Sequence, residues 1–119
     1  MARWSDAIAL QQYYHWKKDT NHPGVYEIGF VRSGKFTPKY VGKSSTSIYD
    51  RLKKHWNEKG SKSIVEYYKA RVRDNLYFHF IVTENYDAME RNLLNTHEIG
   101  RDEGLYEWNH KYEGRRPTK

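Results

Sequence analysis

The stretch GVYEIGFVRSGKFTPKYVGK, residues 24–43, decides the fold of this 119-residue chain because it predicts a β-hairpin. Side chains of a strand alternate between its two faces, and both faces of residues 24–32 contain apolar positions. One face has Tyr26, Ile28 and Phe30, and the other has Val25 and Val31. The first strand is therefore predicted to be covered on both sides.

The turn Ser33-Gly34-Lys35 is followed by a second predicted strand over residues 36–43. Simple alternation puts Phe36, Tyr40 and Gly42 on one side of this strand. We therefore expect the phenol rings of Tyr26 and Tyr40 to meet across the strand pair.

Helices and one further strand are predicted around the hairpin. The pattern indicates a helix over residues 5–18 before it, and then a helix at 48–56, a short helix near 64–70, a central strand at 76–83 and a helix at 86–99. Ser47 and Asp50 form a capping box for the second of these helices. The fold class is α/β (α+β), with a three-stranded, mainly antiparallel sheet flanked by helices.

Length and composition limit the class of protein. A chain of 119 residues forms one domain, here a helix at 5–18, a core at about 24–109 and a basic tail at 110–119. Its 21 Lys and Arg against 15 Asp and Glu give a charge of +6, which suits a polyanionic partner. The absence of cysteine excludes disulfides and thiolate zinc sites. With no signal or membrane span, we expect a cytoplasmic, intracellular protein associated with nucleic acid.

Several polar side chains follow one another in a distinctive order. Tyr26 ends Gly-Val-Tyr, Tyr40 opens Tyr-Val-Gly, Arg51 and His55 lie one helical turn apart, and Glu90 precedes paired leucines. This order resembles the GIY-YIG nuclease family, with Val in place of Ile in both triplets. A tyrosine across a hairpin is by itself more often a packing residue, and Glu90 alone could pair with a lysine. The ordered set is what indicates the family.

The resemblance implies a Mg²⁺-dependent DNA endonuclease, with Mn²⁺ as a possible substitute. Glu90 would bind the metal, Arg51 the scissile phosphate, and Tyr26 would act as general base or orient the attacking water. Tyr40 would position water or phosphate, and His55 would hydrogen-bond the phosphate or Tyr26. Asn109 resembles the family's closing asparagine, and Glu98 is the reserve metal ligand.

Several cations are candidates for tuning the site or binding DNA. A phenol is a poor base near neutral pH, so a cation must favour its ionised form, and Lys39 and Lys43 both flank Tyr40. DNA phosphates are expected at a larger basic set: Lys39, Lys53, Lys54, Arg71 and Arg73.

Other functions are less consistent with this sequence than a nuclease. A non-catalytic nucleic-acid-binding module of the same fold is the alternative. Gly42-Lys43-Ser44 lacks the first glycine of a phosphate-binding P-loop, and His97-Glu98 lacks the second histidine of a zinc protease. Restriction, repair and degradative roles all stay open. A homodimer is expected if both DNA strands are cut.

Overall fold

The computed structural model describes residues 3–57 and 76–96, with only the backbone of Asn95 and Thr96. The elements are β1 (Ile8–Ala9), a 3-10 helix (Leu10–Trp16), α1 (Lys17–Thr20), β2 (Gly24–Arg32), β3 (Lys35–Ser44), α2 (Ile48–Trp56), β4 (Tyr77–Val82) and α3 (Tyr86–Thr96). The strands form one antiparallel sheet in the order β1-β4-β2-β3. The α+β class and the antiparallel sheet are confirmed, and β3 is an edge strand of that sheet.

The prediction of three strands was wrong because a fourth, β1, pairs with β4. Backbone hydrogen bonds from Ser5 N to the Phe80 carbonyl and from Leu10 N to the Leu76 carbonyl extend this pairing. The Trp4 ring also stacks on His79 of β4, with 4.0 Å between ring centroids. The start of the chain therefore covers an edge of β4 that would otherwise expose unpaired backbone groups.

The predicted helix over residues 5–18 was also wrong. Residues 8–9 are a strand, residues 10–16 a 3-10 helix, and only Lys17–Thr20 are α-helical. Ile8 and Leu10 fit a strand period of two as well as a helical stripe, so the apolar pattern did not discriminate. Pairing of residues 8–9 with the edge of β4 favours the strand over the helix. This is a contact between segments that are distant in the chain.

The hairpin formed by β2 and β3 is confirmed, and so is the turn. Ser33 and Gly34 both have positive φ, at 52° and 75°, as the tight turn of a twisted hairpin requires. The side predicted for Phe36 was wrong. Tyr40 pairs with Ile28 and Pro38 with Gly29, so Lys39 is an extra residue in a β-bulge. The bulge reverses the alternation of side chains in the part of β3 that precedes Lys39. Phe36 therefore contacts His79 on the face opposite Tyr40.

Helices cover both faces of the sheet. On one face, Ile48 and Leu52 of α2 and Leu10 and Tyr13 of the 3-10 helix pack against Tyr26, Ile28, Tyr40, Phe78 and Phe80. On the other face, Met89, Leu93 and Leu94 of α3 pack against Val25 and Val41. The prediction that β2 is covered on both sides is confirmed, and so is the inward stripe of the last helix.

The start of α2 is fixed by side-chain caps. Ser47 Oγ accepts a hydrogen bond from Asp50 N at 3.2 Å, and Ser44 Oγ accepts one from Ser47 N at 2.8 Å. The Ser47 half of the predicted capping box is confirmed, whereas Ser47 N donates to Ser44 Oγ and not to the Asp50 carboxylate. These bonds hold α2 at the end of β3. The helix predicted near 64–70 and the end of the last helix at 97–99 lie outside the described residues. Within the described ranges, every helix is too short or too polar to cross a membrane.

Candidate functional site

An open cleft of about 650 Å³ lies at β3, the edge strand of the described sheet, between α2 on one face and α3 on the other. Its walls combine residues of all three elements and of the loop after β3. They include Tyr40, Gly42, Lys43, Ser44, Arg51, Lys54, Asp87 and Glu90. Three residues of the ordered set, Tyr40, Arg51 and Glu90, and the candidate tuning cation Lys43 thus line one cleft.

Gly42 lines this cleft and leaves space for the Tyr26 ring, which is buried behind it. Tyr26 is directly opposite Gly42 in the β2–β3 pair, and its ring crosses the space where a side chain would stand. A Cβ at Gly42 would lie 2.4 Å from the Tyr26 hydroxyl oxygen. The second triplet therefore needs glycine for steric reasons. Tyr26 itself is fully buried.

Tyr26 and His55 form a buried hydrogen-bonded pair. The Tyr26 hydroxyl oxygen lies 2.8 Å from His55 Nε2. His55 is 1% exposed, and its Nδ1 atom has no hydrogen-bond partner among the described residues. Burial, and then the positive charge of Arg51, lowers the pKa of His55 to about 3. His55 is therefore neutral at physiological pH.

Arg51 stands beside both tyrosines of the hairpin. The charge of Tyr26 in its ionised form, together with hydrogen bonds from the guanidinium to the Tyr26 and Tyr40 hydroxyls, raises the pKa of Arg51. The rings of Tyr26 and Tyr40 are 6.3 Å apart, and each lies within 5.5 Å of the His55 ring. The expected meeting of the two phenols is confirmed, with a cation and an imidazole next to them.

Glu90 lies in the wall formed by α3. It is 6% exposed, and its Oε1 atom lies 3.6 Å from the Lys43 ammonium. Lys43 also forms an ion pair and a hydrogen bond with Asp87. The hydrogen bond to Asp87 is the main factor that raises the pKa of Lys43 and lowers that of Asp87. Lys43 thus pairs with the α3 carboxylates instead of facing Tyr26.

The other predicted cations lie at different places relative to the cleft. The bulge directs the Lys39 side chain toward Phe30, and Lys39 Nζ lies 5.9 Å from the Phe30 ring centroid. Lys54 lines the cleft, and Lys53 is exposed on α2. Arg71, Arg73, Glu98 and Asn109 lie outside the described residues.

Two parts of the site were not identified from the sequence. Asp87 was missed, although it precedes Glu90 by three residues and so lies on the same face of a helix. The loop at residues 45–47 also lines the cleft, although the sequence indicated only a cap at Ser47. The i, i+3 spacing was the available signal for Asp87, while nothing in the pattern marked the loop.

Comparison with known proteins identifies no relative: no family model matches the chain, and neither a curated protein nor a solved structure is significantly similar to it.

Proposed function

We propose that this protein is a Mg²⁺-dependent DNA endonuclease of the GIY-YIG type. One observation supports it above the others: a single cleft has the Arg51 guanidinium and the Tyr40 phenol at one side and a nearly buried carboxylate at the other, and the buried Tyr26 phenol lies beside Arg51 behind the cleft wall. Phosphodiester hydrolysis needs a group that activates water and positive charge that stabilises the phosphoryl oxygens. The cleft offers both.

Arg51 is the phosphate-binding residue in this proposal. Its planar guanidinium has several N–H donors, which suit two oxygens of one phosphate. Hydrogen bonds to the two phenols fix its orientation at the cleft wall. Lys54 lines the same cleft and would contact a neighbouring phosphate.

Tyr26 is the proposed general base, and the tautomer of His55 supports that role. An unpartnered buried acceptor costs less than an unpartnered buried N–H, so the bare nitrogen of neutral His55 is Nδ1. His55 Nε2–H then donates to the Tyr26 oxygen. The positive charge of Arg51 beside this oxygen would favour the phenolate as well, so that Tyr26 could remove a proton from water.

Glu90 is the residue that would hold the metal. The Lys43 ammonium stands 3.6 Å from its carboxylate, and this contact supports a cation site there. Carboxylate oxygen is also a ligand that Mg²⁺ prefers. No group of three His, Asp or Glu side chains that could hold a metal exists in the described ranges, so the ion would keep several waters. When bound, Mg²⁺ would neutralise charge on the phosphoryl and leaving oxygens.

Nicking of supercoiled plasmid tests this proposal. The native chain is expected to nick DNA with Mg²⁺ and to stop when the ion is chelated. Tyr26→Phe, Arg51→Ala and Glu90→Ala are each expected to lower the rate by roughly a hundredfold or more. Tyr14→Phe is the matched control, because Tyr14 is exposed on the 3-10 helix away from the cleft walls. Full activity of Glu90→Ala would contradict the metal assignment.

A non-catalytic nucleic-acid-binding module is the second candidate. The complete burial of Tyr26 favours it, because a general base must reach water. DNA binding without nicking by the native chain, in either Mg²⁺ or Mn²⁺, would identify this function.

A further inference from the structure

The Lys43 ammonium lies between two carboxylates that differ in exposure. Its nitrogen contacts Asp87 and is 3.6 Å from Glu90, whose side chains are 58% and 8% exposed respectively. A carboxylate charge that is nearly withdrawn from water is stabilised by a nearby cation. Lys43 supplies that charge to Glu90.

The geometry also lets the ammonium leave Glu90 without any change in the backbone. Asp87 and Glu90 are one helical turn apart on α3, so their carboxylates lie on one face. Lys43 reaches them from the neighbouring edge strand on a flexible four-carbon chain. A small rotation of that chain moves the ammonium fully onto Asp87, where the exposed carboxylate is already in contact with it.

We propose that Lys43 is an internal counter-ion that neutralises Glu90 until a divalent ion binds there, and that Asp87 retains the ammonium afterwards. This inference rests on the proposed function, since it requires Glu90 to bind the ion. It assigns to Lys43 a role at the metal in place of the predicted tuning of Tyr26. Because two cations near one carboxylate repel each other, Lys43 weakens metal binding and Asp87 limits that effect.

Mn²⁺ binding to the free protein, followed by the electron paramagnetic resonance signal of unbound Mn²⁺, tests the proposal without DNA or turnover. Lys43→Met, which removes the charge and keeps the bulk, is expected to bind Mn²⁺ about tenfold more tightly than the native chain. Asp87→Asn is expected to bind it about threefold more weakly, because the ammonium then has Glu90 as its nearest carboxylate.

Two control variants make the same changes of charge elsewhere. Lys35→Met alters an exposed lysine eight residues earlier on β3, about 25 Å away at the usual rise of a strand. Glu84→Gln removes an exposed carboxylate just before α3. Both are expected to stay within about twofold of the native affinity, since long-range charge is screened by salt.

Thermal unfolding supplies a second measurement. Without metal, Lys43→Met leaves Glu90 with less compensation and is expected to melt below the native chain. Saturating Mn²⁺ should raise its Tm by more than it raises the native Tm, because tighter binding to the folded state stabilises it more. A smaller or equal rise would contradict the proposal.

The outcomes separate this inference from the proposed function. If Glu90→Gln loses Mn²⁺ and Lys43→Met binds it no more tightly than the native chain, the counter-ion role is wrong while the metal assignment stands. If Glu90→Gln binds Mn²⁺ like the native chain, or no form binds it, both are wrong.

Discussion

The Tyr26 hydroxyl oxygen lies 2.8 Å from Nε2 of His55, although the two residues are 29 positions apart in the chain. This contact joins β2 to α2 directly beneath the cleft, and the Arg51 guanidinium stands beside it. The structure thus places a buried phenol and a buried neutral imidazole next to a cation that lines the cleft.

Acid should destabilise the fold through His55. Its pKa is about 3 in the folded state and near 6.5 when unfolded, so the unfolded chain binds the extra proton between those values. Stability is complete above pH 6.5 and is lost as the pH falls toward 3, by roughly 1 kcal/mol per pH unit from this group. Urea unfolding between pH 7 and 4 measures this slope.

The control for this slope is a pair of substitutions. His55→Gln should flatten the pH dependence, whereas His15→Gln, at an exposed position, should leave it as in the native chain. An unchanged slope in His55→Gln would show that His55 is not the group responsible.

Gly42→Ala should destabilise the protein by about 2 kcal/mol, because the new methyl group would overlap the Tyr26 ring and force it to move. The same change in a Tyr26→Leu background should cost clearly less, since the shorter side chain leaves that space open. Chemical unfolding of the four forms gives the coupling energy. Equal costs in both backgrounds would mean that Tyr26 does not lie against Gly42.

Ser47→Ala should lower the free energy of unfolding by about 1 kcal/mol through loss of the cap on Asp50 N. Because α2 positions Arg51 and His55, the nicking rate should fall as well. Ser45→Ala, at an exposed position in the same loop, should change stability by less than about 0.5 kcal/mol. Similar values for the two variants would contradict the capping role.

Arg51→Lys should lower the nicking rate at least tenfold although the positive charge is kept. A lysine ammonium cannot hold two phenols and a phosphate in the fixed plane of a guanidinium. Circular dichroism should show the native fold, which separates loss of chemistry from loss of structure. Native activity in Arg51→Lys would reduce the role of Arg51 to charge alone.

The local patterns of the sequence were sufficient for the hairpin, the capped helix and the inward stripe of the last helix. Each is specified by neighbouring residues: apolar alternation in β2, the Ser47 cap and the leucines of α3. That Tyr40, Arg51 and Glu90 share one cleft was an implication of the family resemblance and not of any local pattern. Short-range rules are reliable where the residues that decide a structure are close in the chain.

The failures share a different cause, which is contact between distant segments. Ile8 becomes a strand residue because it pairs with Phe78 at the edge of β4, seventy positions later. The bulge at Lys39 moves Phe36 to the other face, and the alternation of β3 alone does not show it. The Lys43 ammonium forms ion pairs with Asp87 and Glu90 because α3 lies beside the edge strand.

Cleavage of a radiolabelled duplex by the native chain and by Glu90→Gln, each with and without Mg²⁺, tests the central claim most directly. The substitution keeps the size of the side chain and removes the charge that would hold the ion. The native chain should cut only with Mg²⁺, and Glu90→Gln should cut at least a hundredfold more slowly while binding the duplex equally well. Equal cleavage by the two proteins, or no cleavage by the native chain with Mg²⁺, would contradict the claim that this cleft hydrolyses DNA.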